Sequence, residues 1–268
     1  MNDVEFIPKD IVYPGNEKNK LNELEKLFQE WYKNILTNDP ENAERMVFDG
    51  FYPYYFSQKV RILYIGRESL GLEGKNYISA LFNAYKRKKI GDKDIDNHKF
   101  HYRMFYITYG IIQSIENWEK GQKTIEWNNI PKASQLAETF ATEEGFSFAF
   151  MNISKFSNES DSWKADWPSI YPFIDSSVDF IKKEIEILDP HVIVSMNIGE
   201  KRIKSLGWEL IDKSEKVYTY QKNNSNDDRV ILLDTFHFSA FKKFDEDDFY
   251  IPIINIVEKM YREYLDSI

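Results

Sequence analysis

Three short stretches carry side chains that do chemistry, and each follows an apolar run. In VRILYIGRESLG, Val60 to Gly71, a β-rich run breaks at Gly66 into Arg67-Glu68-Ser69, with Gly71 close behind. A carboxylate beside a guanidinium at such a break is a candidate for chemistry, because ligands of open α/β sheets bind just beyond the carboxyl ends of strands. A glycine at such a junction also serves backbone needs alone. In FAFMNISKF, Asn152 and Lys155 follow a second apolar run. The Asn152 amide offers a donor and an acceptor together to a planar ligand edge, or else it caps or bridges a turn. In VILLDTFHFSAFKKF, Val230 to Leu233 leads into Asp234-Thr235 and then His237, Ser239, Phe241, Lys242 and Lys243. A histidine in a loop beyond a central strand, opposite a loop bearing Glu, is a candidate catalytic group.

The elements that must position these loops alternate along the chain. Helical spacing runs from Asn16 to Leu36 (Leu21, Leu24, Leu27, Phe28, Trp31, Ile35), with Asn16 as its N-cap. Asp39-Pro40-Glu41 has the form of a helix start. Helices are expected over Tyr77–Lys89, Tyr102–Glu119, Pro172–Leu188, Lys201–Leu206 and about Tyr250–Leu265. Strands are expected at Val60–Ile65, Phe146–Ile153, His191–Met196, Val217–Gln221 and Arg229–Leu233, the last two around a polar turn, Asn223 to Asp228. The strand HVIVSM ends in Asn197-Ile198-Gly199, which reads as a core strand followed by a helix-capping turn. Strands alternating with helices predict an α/β sandwich around a mostly parallel sheet.

Composition narrows the classes. A chain of 268 residues, 42% hydrophobic, can bury a full core. It has no apolar run long enough to cross a membrane and no basic-then-apolar leader, so a soluble protein in a cytoplasmic setting is expected. The absence of cysteine excludes disulfides, thiolate nucleophiles, cysteine-ligated zinc and iron–sulfur clusters. A net charge of −9 disfavours non-specific attraction to DNA, while leaving room for a local basic face. Lys86 to Lys89 is one basic group, read first as a complement to a helix C-terminus. Trp163 and Trp167 are expected to pack a loop under the following helix, with a platform for a base as the alternative. His98 and His101, near Asp94 and Asp96, read as a surface loop rather than a metal site, and His191 as structural.

In their order, strand–GRESLG, strand–MNISK, strand–MN and strand–HFSAF resemble the uracil-DNA glycosylase superfamily. Its members carry a G-Q-D-P-Y or G-E-A-P-G type loop, an Asn after a middle strand and an H-P-S loop near the end. The resemblance spans about residues 48 to 245 and implies a single three-layer α/β/α domain around a four-stranded parallel sheet. It leaves a helical N-terminal extension (about 1–47) and an inserted, mainly helical region (about 75–147). It implies a DNA N-glycosylase acting on uracil or a related deaminated base, without metal or cofactor, with DNA as the partner.

The resemblance also implies roles. Glu68 would activate water or stabilise the sugar cation, and His237 would stabilise charge on the departing base. Asn152 would read the base edge beside Gly66 and Arg67, and Tyr77 would stack on the base, with Phe82 and Tyr102 as rivals. Phe241 would be the wedge that fills a flipped nucleotide's place. Ser239, Lys242 and Lys243 would hold phosphates. The chain departs from the family at Ser69-Leu70, which stand for Pro-Tyr, and at Phe238, which stands for Pro. It also places Asp245-Glu246-Asp247-Asp248 directly after the lysines, read as a solvated helix start. The alternative is a repurposed member that binds a nucleobase-like ligand or a protein partner without turnover.

Overall fold

The computed structural model describes residues 4–159, 164–222 and 230–266; Trp163 and the turn Asn223 to Asp228 lie outside them. The elements begin with α1 (Lys18–Asn38), α2 (Pro40–Ala43), β1 (Gly50–Phe51), β2 (Ile62–Gly66) and α3 (Tyr77–Lys86). A small hairpin, β3 (Lys89–Ile90) and β4 (Lys93–Asp94), precedes α4 (Lys99–Glu119) and α5 (Ala133–Thr139). Then come β5 (Ala149–Asn152), α6 (Trp167–Leu188), β6 (Val192–Met196) and α7 (Glu200–Ser205). The chain closes with β7 (Trp208–Lys213), β8 (Val217–Lys222), β9 (Ile231–Thr235) and α8 (Ile251–Asp266).

One seven-stranded sheet has the order β1-β5-β2-β6-β9-β8-β7. Its centre, β5-β2-β6-β9, is parallel, and antiparallel strands extend both edges. The apolar runs of β2, β5, β6 and β9 are buried at every position, as strands covered on both faces must be. The order explains the cover. The chain steps from β2 to β5 in one direction and returns past β2 to β6 in the other. Right-handed crossovers then lay the intervening helices on opposite faces. On one face, Tyr64 of β2 reaches α4, its hydroxyl 3.0 Å from the Met104 carbonyl and 2.8 Å from Thr108 Oγ1. In the opposite helical layer α1 lies along α6, where Trp31 stacks on Phe173 and Phe180 and donates to Ser177 Oγ at 3.2 Å.

Several boundaries differ from the sequence expectation: α3 stops at Lys86 and leaves Lys89 in β3, and β5 is shorter than Phe146–Ile153. Asn16 does not cap α1, which is entered through a 3-10 turn at Gly15–Glu17. Buried Glu17 instead accepts the amides of Tyr54 and Phe56 and so fixes the aromatic loop FYPYYF. Helix α6 starts at Trp167, with Pro168 in its first turn, so Pro172 falls inside the helix rather than at its start. A single helical bond is lost there. Helix α4 begins at Lys99, which puts His101 inside it, buried and bonded to the Tyr85 hydroxyl at 2.8 Å, not on a surface loop.

Candidate active site at the carboxyl ends of the parallel strands

The parallel register sets Gly66, at the end of β2, level with Asn152, at the end of β5. A Cβ on Gly66 would lie 2.8 Å from the Phe150 ring and 2.9 Å from Asn152 Oδ1, so glycine is required by space. Beyond the strands the two segments stay laced together. Ile153, Ser154 and Asn158 donate backbone N–H to the carbonyls of Gly66, Arg67 and Ser69, at 3.0, 2.9 and 2.9 Å. Gly71 returns its own N–H to the Asn158 carbonyl at a φ of +64°, where glycine carries no Cβ penalty. The loop expected to do chemistry is therefore held along its length.

Asn152 is buried, and Asp49 grips it twice: Oδ2 accepts its backbone N–H at 2.7 Å and Oδ1 accepts its Nδ2 at 3.2 Å. The amide oxygen is thereby turned toward Gly66. Lys155, three residues on, is fully buried and bridges Asp49 Oδ2 at 2.7 Å and Glu184 Oε2 of α6 at 2.8 Å. One cation between two buried carboxylates leaves one negative charge in excess. Burial raises the Glu184 carboxyl to about 7 against the pull of Lys155, and it raises Asp49 as well.

Glu68 is half-buried, and its Oε1 accepts from the Asp166 N–H at 2.8 Å and from Asn158 Nδ2 at 3.1 Å. The carboxylate thus anchors the segment that leads into α6, and among the described residues Oε2 accepts no hydrogen bond. Burial raises its pKa, and the two donors pull it back. No hydrogen bond joins Glu68 to His237.

His237 sits in the loop after β9 with its ring 5.6 Å from that of Phe100. Its Nδ1 accepts the Ser239 N–H at 3.2 Å, which leaves the proton of the neutral ring on Nε2. Burial, with Arg67 and Arg103 adding repulsion, lowers its pKa to about 4. At neutral pH the side chain is thus an uncharged donor through Nε2–H. The loop is fixed without a proline at position 238. Phe238 is wholly buried against Tyr64 and Phe249, and its carbonyl accepts from Arg103 at 2.5 Å. Arg103, itself buried, also binds Asp245 through Nε at 2.7 Å and lies over Phe249.

The acidic run is partly turned inward. Asp245 meets Arg103 and the Tyr102 hydroxyl, and Asp248 accepts the Phe244 N–H at 2.8 Å and pairs with Lys216. A helical turn at Asp245–Tyr250 does open α8 there, but two of its acids are bonded rather than solvated. Phe241 projects from the loop at 78% exposure, beside exposed Ser239 and Lys242. Lys243 instead lays its ammonium 3.6 Å from the Phe236 ring centre.

The aromatic partners differ from the expectation. Tyr77 is buried and stacked on Phe150 at 4.3 Å, Phe82 lies against Tyr52, and Tyr102 is bonded to Asp245. Phe100 is the ring that links the two loops, its centre 6.0 Å from that of Phe150 and 5.6 Å from that of His237. Sequence reasoning missed Phe100, Arg103 and Asp49. The signal for Arg103 was a lone arginine on the apolar face of a helix; the other two gave none.

The remaining singled-out residues have structural partners. Lys86 donates to the Phe140 carbonyl and Lys88 pairs with Glu138, so this basic group ties α3 to α5. Asp96 caps α5 through Ser134, and among the described residues no three His, Asp or Glu side chains gather as metal ligands would. His191 Nδ1 accepts the Arg61 N–H at 3.1 Å. Asn197, at a φ of 59°, and the Ile198 and Gly199 amides held by Asp234 form the turn expected before α7. Among the described residues no helix is long and apolar enough to cross a membrane. The sheet and its helices define an α/β protein, and the loops at the carboxyl edge of its parallel strands bring Gly66, Asn152, Phe100 and His237 close together as a candidate ligand site. The chain matches no protein-family model and no curated protein.

Proposed function

We propose that the chain is a uracil-DNA glycosylase-like protein that hydrolyses the N-glycosidic bond of uracil or a related deaminated base in DNA. The observation that carries this reading is the state of His237. Its Nδ1 is engaged and its pKa is lowered to about 4, so a neutral Nε2–H donor stands beside Phe100. A donor of that kind suits the negative charge that grows on a departing base. Phe100 leads on to Phe150, while Asn152, whose amide is held by Asp49 and packed against Gly66, backs the site rather than offering the free edge expected of it. A planar ligand bound there would meet the Phe100 ring and the imidazole together. Further support comes from the parallel four-strand core, the sheet that the resemblance implies. In the reaction the glycosidic electron pair leaves with the base. Water gives its hydroxyl to the sugar carbon, and its proton ends on the base. Glu68 Oε2 is the carboxylate oxygen left to face the sugar cation.

A second reading, binding of a nucleobase-like ligand without turnover, draws on the bonds at Glu68 Oε1, which make that side chain a loop anchor. A panel of single-stranded oligonucleotides bearing uracil, hypoxanthine or xanthine separates the two. Release of free base is expected, with His237→Ala lowering the rate by about a hundredfold or more. Binding without release from any of the three, at low salt and high protein concentration, would overturn the glycosylase reading in favour of the second.

A further inference from the structure

A four-tier stack stands at the same edge of the sheet. The Arg67 guanidinium lies 4.7 Å from the Trp167 ring centre, Trp167 stacks on Tyr171 at 4.9 Å, and Arg202 lies 3.5 Å from the Tyr171 ring centre. The sequence places these residues on three elements: the loop after β2, the first turns of α6, and α7. Each ring has two faces and carries two stacked groups, a guanidinium and the neighbouring ring. Trp167, expected to pack a loop or to serve as a base platform, is thus engaged by side chains of the protein itself.

The arginines are left differently. Among the described residues neither guanidinium has a hydrogen bond or an ion pair, and the Nε of each is buried without a partner. The acids that attract Arg67 are already occupied. Asp234 accepts from Ser195 Oγ at 2.6 Å and from the Ile198 and Gly199 amides, and Glu68 holds Asn158 and Asp166. Stacking holds a guanidinium flat, and its planar fork of N–H donors is the geometry that grips phosphate oxygens in pairs. Two such forks with no carboxylate bound are held ready for an anion.

We propose that Arg67 and Arg202 seat the phosphodiester groups of a single nucleic-acid strand crossing the carboxyl edge of the sheet. Only the choice of polymer rests on the glycosylase reading; the anion seat stands on the stack itself. The strand would continue toward Ser239 and Lys242, which are exposed on the His237 loop.

The test is binding of a labelled oligothymidylate, which contains no deaminated base, followed by fluorescence anisotropy across a salt series. Arg67→Gln and Arg202→Gln should each weaken binding roughly three- to tenfold at low salt and flatten the plot of log K against log salt by about 0.7. Arg61→Gln removes the same charge at the amino end of β2, where Arg61 pairs with Asp189, and should change neither quantity. Should Arg67→Gln fail to fold, Arg202→Gln carries the test, because Arg202 lies on the short helix α7, outside the loop after β2, and its side chain makes no hydrogen bond or ion pair among the described residues. Equal slopes in the wild type and both stack variants would overturn the proposal, as would an equal loss in Arg61→Gln. Inorganic phosphate that binds the protein while oligothymidylate does not would assign the seat to a free anion and overturn the strand. Base release with unchanged slopes rejects only this inference, whereas lost slopes without release reject only the glycosylase reading.

Discussion

Gly66 and His237 show how single residues set the chemistry this edge can support. Gly66 is not in a left-handed conformation; it is small because Phe150 and Asn152 close over it. A methyl group at 2.8 Å from a buried ring must move that ring, and overpacking of this kind costs about 1–3 kcal/mol. Gly66→Ala is therefore expected to lower the midpoint of urea unfolding and to displace Asn152, so that ligand binding weakens together with stability. An unchanged midpoint would show that Phe150 and Asn152 yield freely. For His237 the expectation is spectroscopic. Its ring nitrogens should report the neutral Nε2–H form at pH 7 and titrate near 4, whereas Ser239→Pro, which deletes the N–H that Nδ1 accepts, should free the tautomer. A titration near 6.5 in the folded protein would remove the preorganised donor.

At the scale of elements, the question is what Glu68 does for the two loops it joins. Gln keeps an acceptor for the Asp166 N–H and Asn158, while Ala removes it. Glu68→Ala is expected to expose the Asp166 amide to hydrogen exchange and to cost about 1–3 kcal/mol, while Glu68→Gln leaves that amide protected. If base release falls equally in both variants, the carboxylate acts on the reaction; if it falls only in Ala, Glu68 is a positioning residue. These elements were unequally legible in sequence. β2, β6 and β9 declared themselves because a strand covered on both faces is an unbroken apolar run. β7, WELIDK, did not, since an edge strand exposed along most of its length carries polar residues with no clean alternation. The three strand-end loops could be named from glycine, asparagine and histidine after such runs. Asp49 and Phe100 could not, because each joins the site through contacts with residues far away in the chain.

Across the whole molecule, buried titratable groups oppose one another in their response to acid. His237 has a folded pKa of about 4 against 6.5 in an unfolded chain, so between those values the unfolded chain holds a proton that the folded one refuses. Acidification through that window costs stability, at most about 3 kcal/mol. Glu184 works in the other direction. Raised to about 7 from 4.5, it binds a proton in the folded chain that the unfolded chain releases, so acidification from 7 to 4.5 favours the fold. Asp49, Glu17, Glu68 and Asp234 are raised by burial too and add to Glu184 with the same sign. The two trends overlap between pH 6.5 and 4.5 and partly cancel. Glu184→Gln keeps an acceptor for Lys155 but no longer titrates, so its unfolding free energy should fall relative to wild type as pH is lowered from 7 to 4.5. His237→Asn should shift the other way, gaining relative to wild type as pH falls below 6.5. Denaturation curves at several pH values across this range measure both differences. Parallel curves for the three proteins would mean that neither group is held away from its ordinary value by the fold, and the neutral donor at His237 would lose its physical basis.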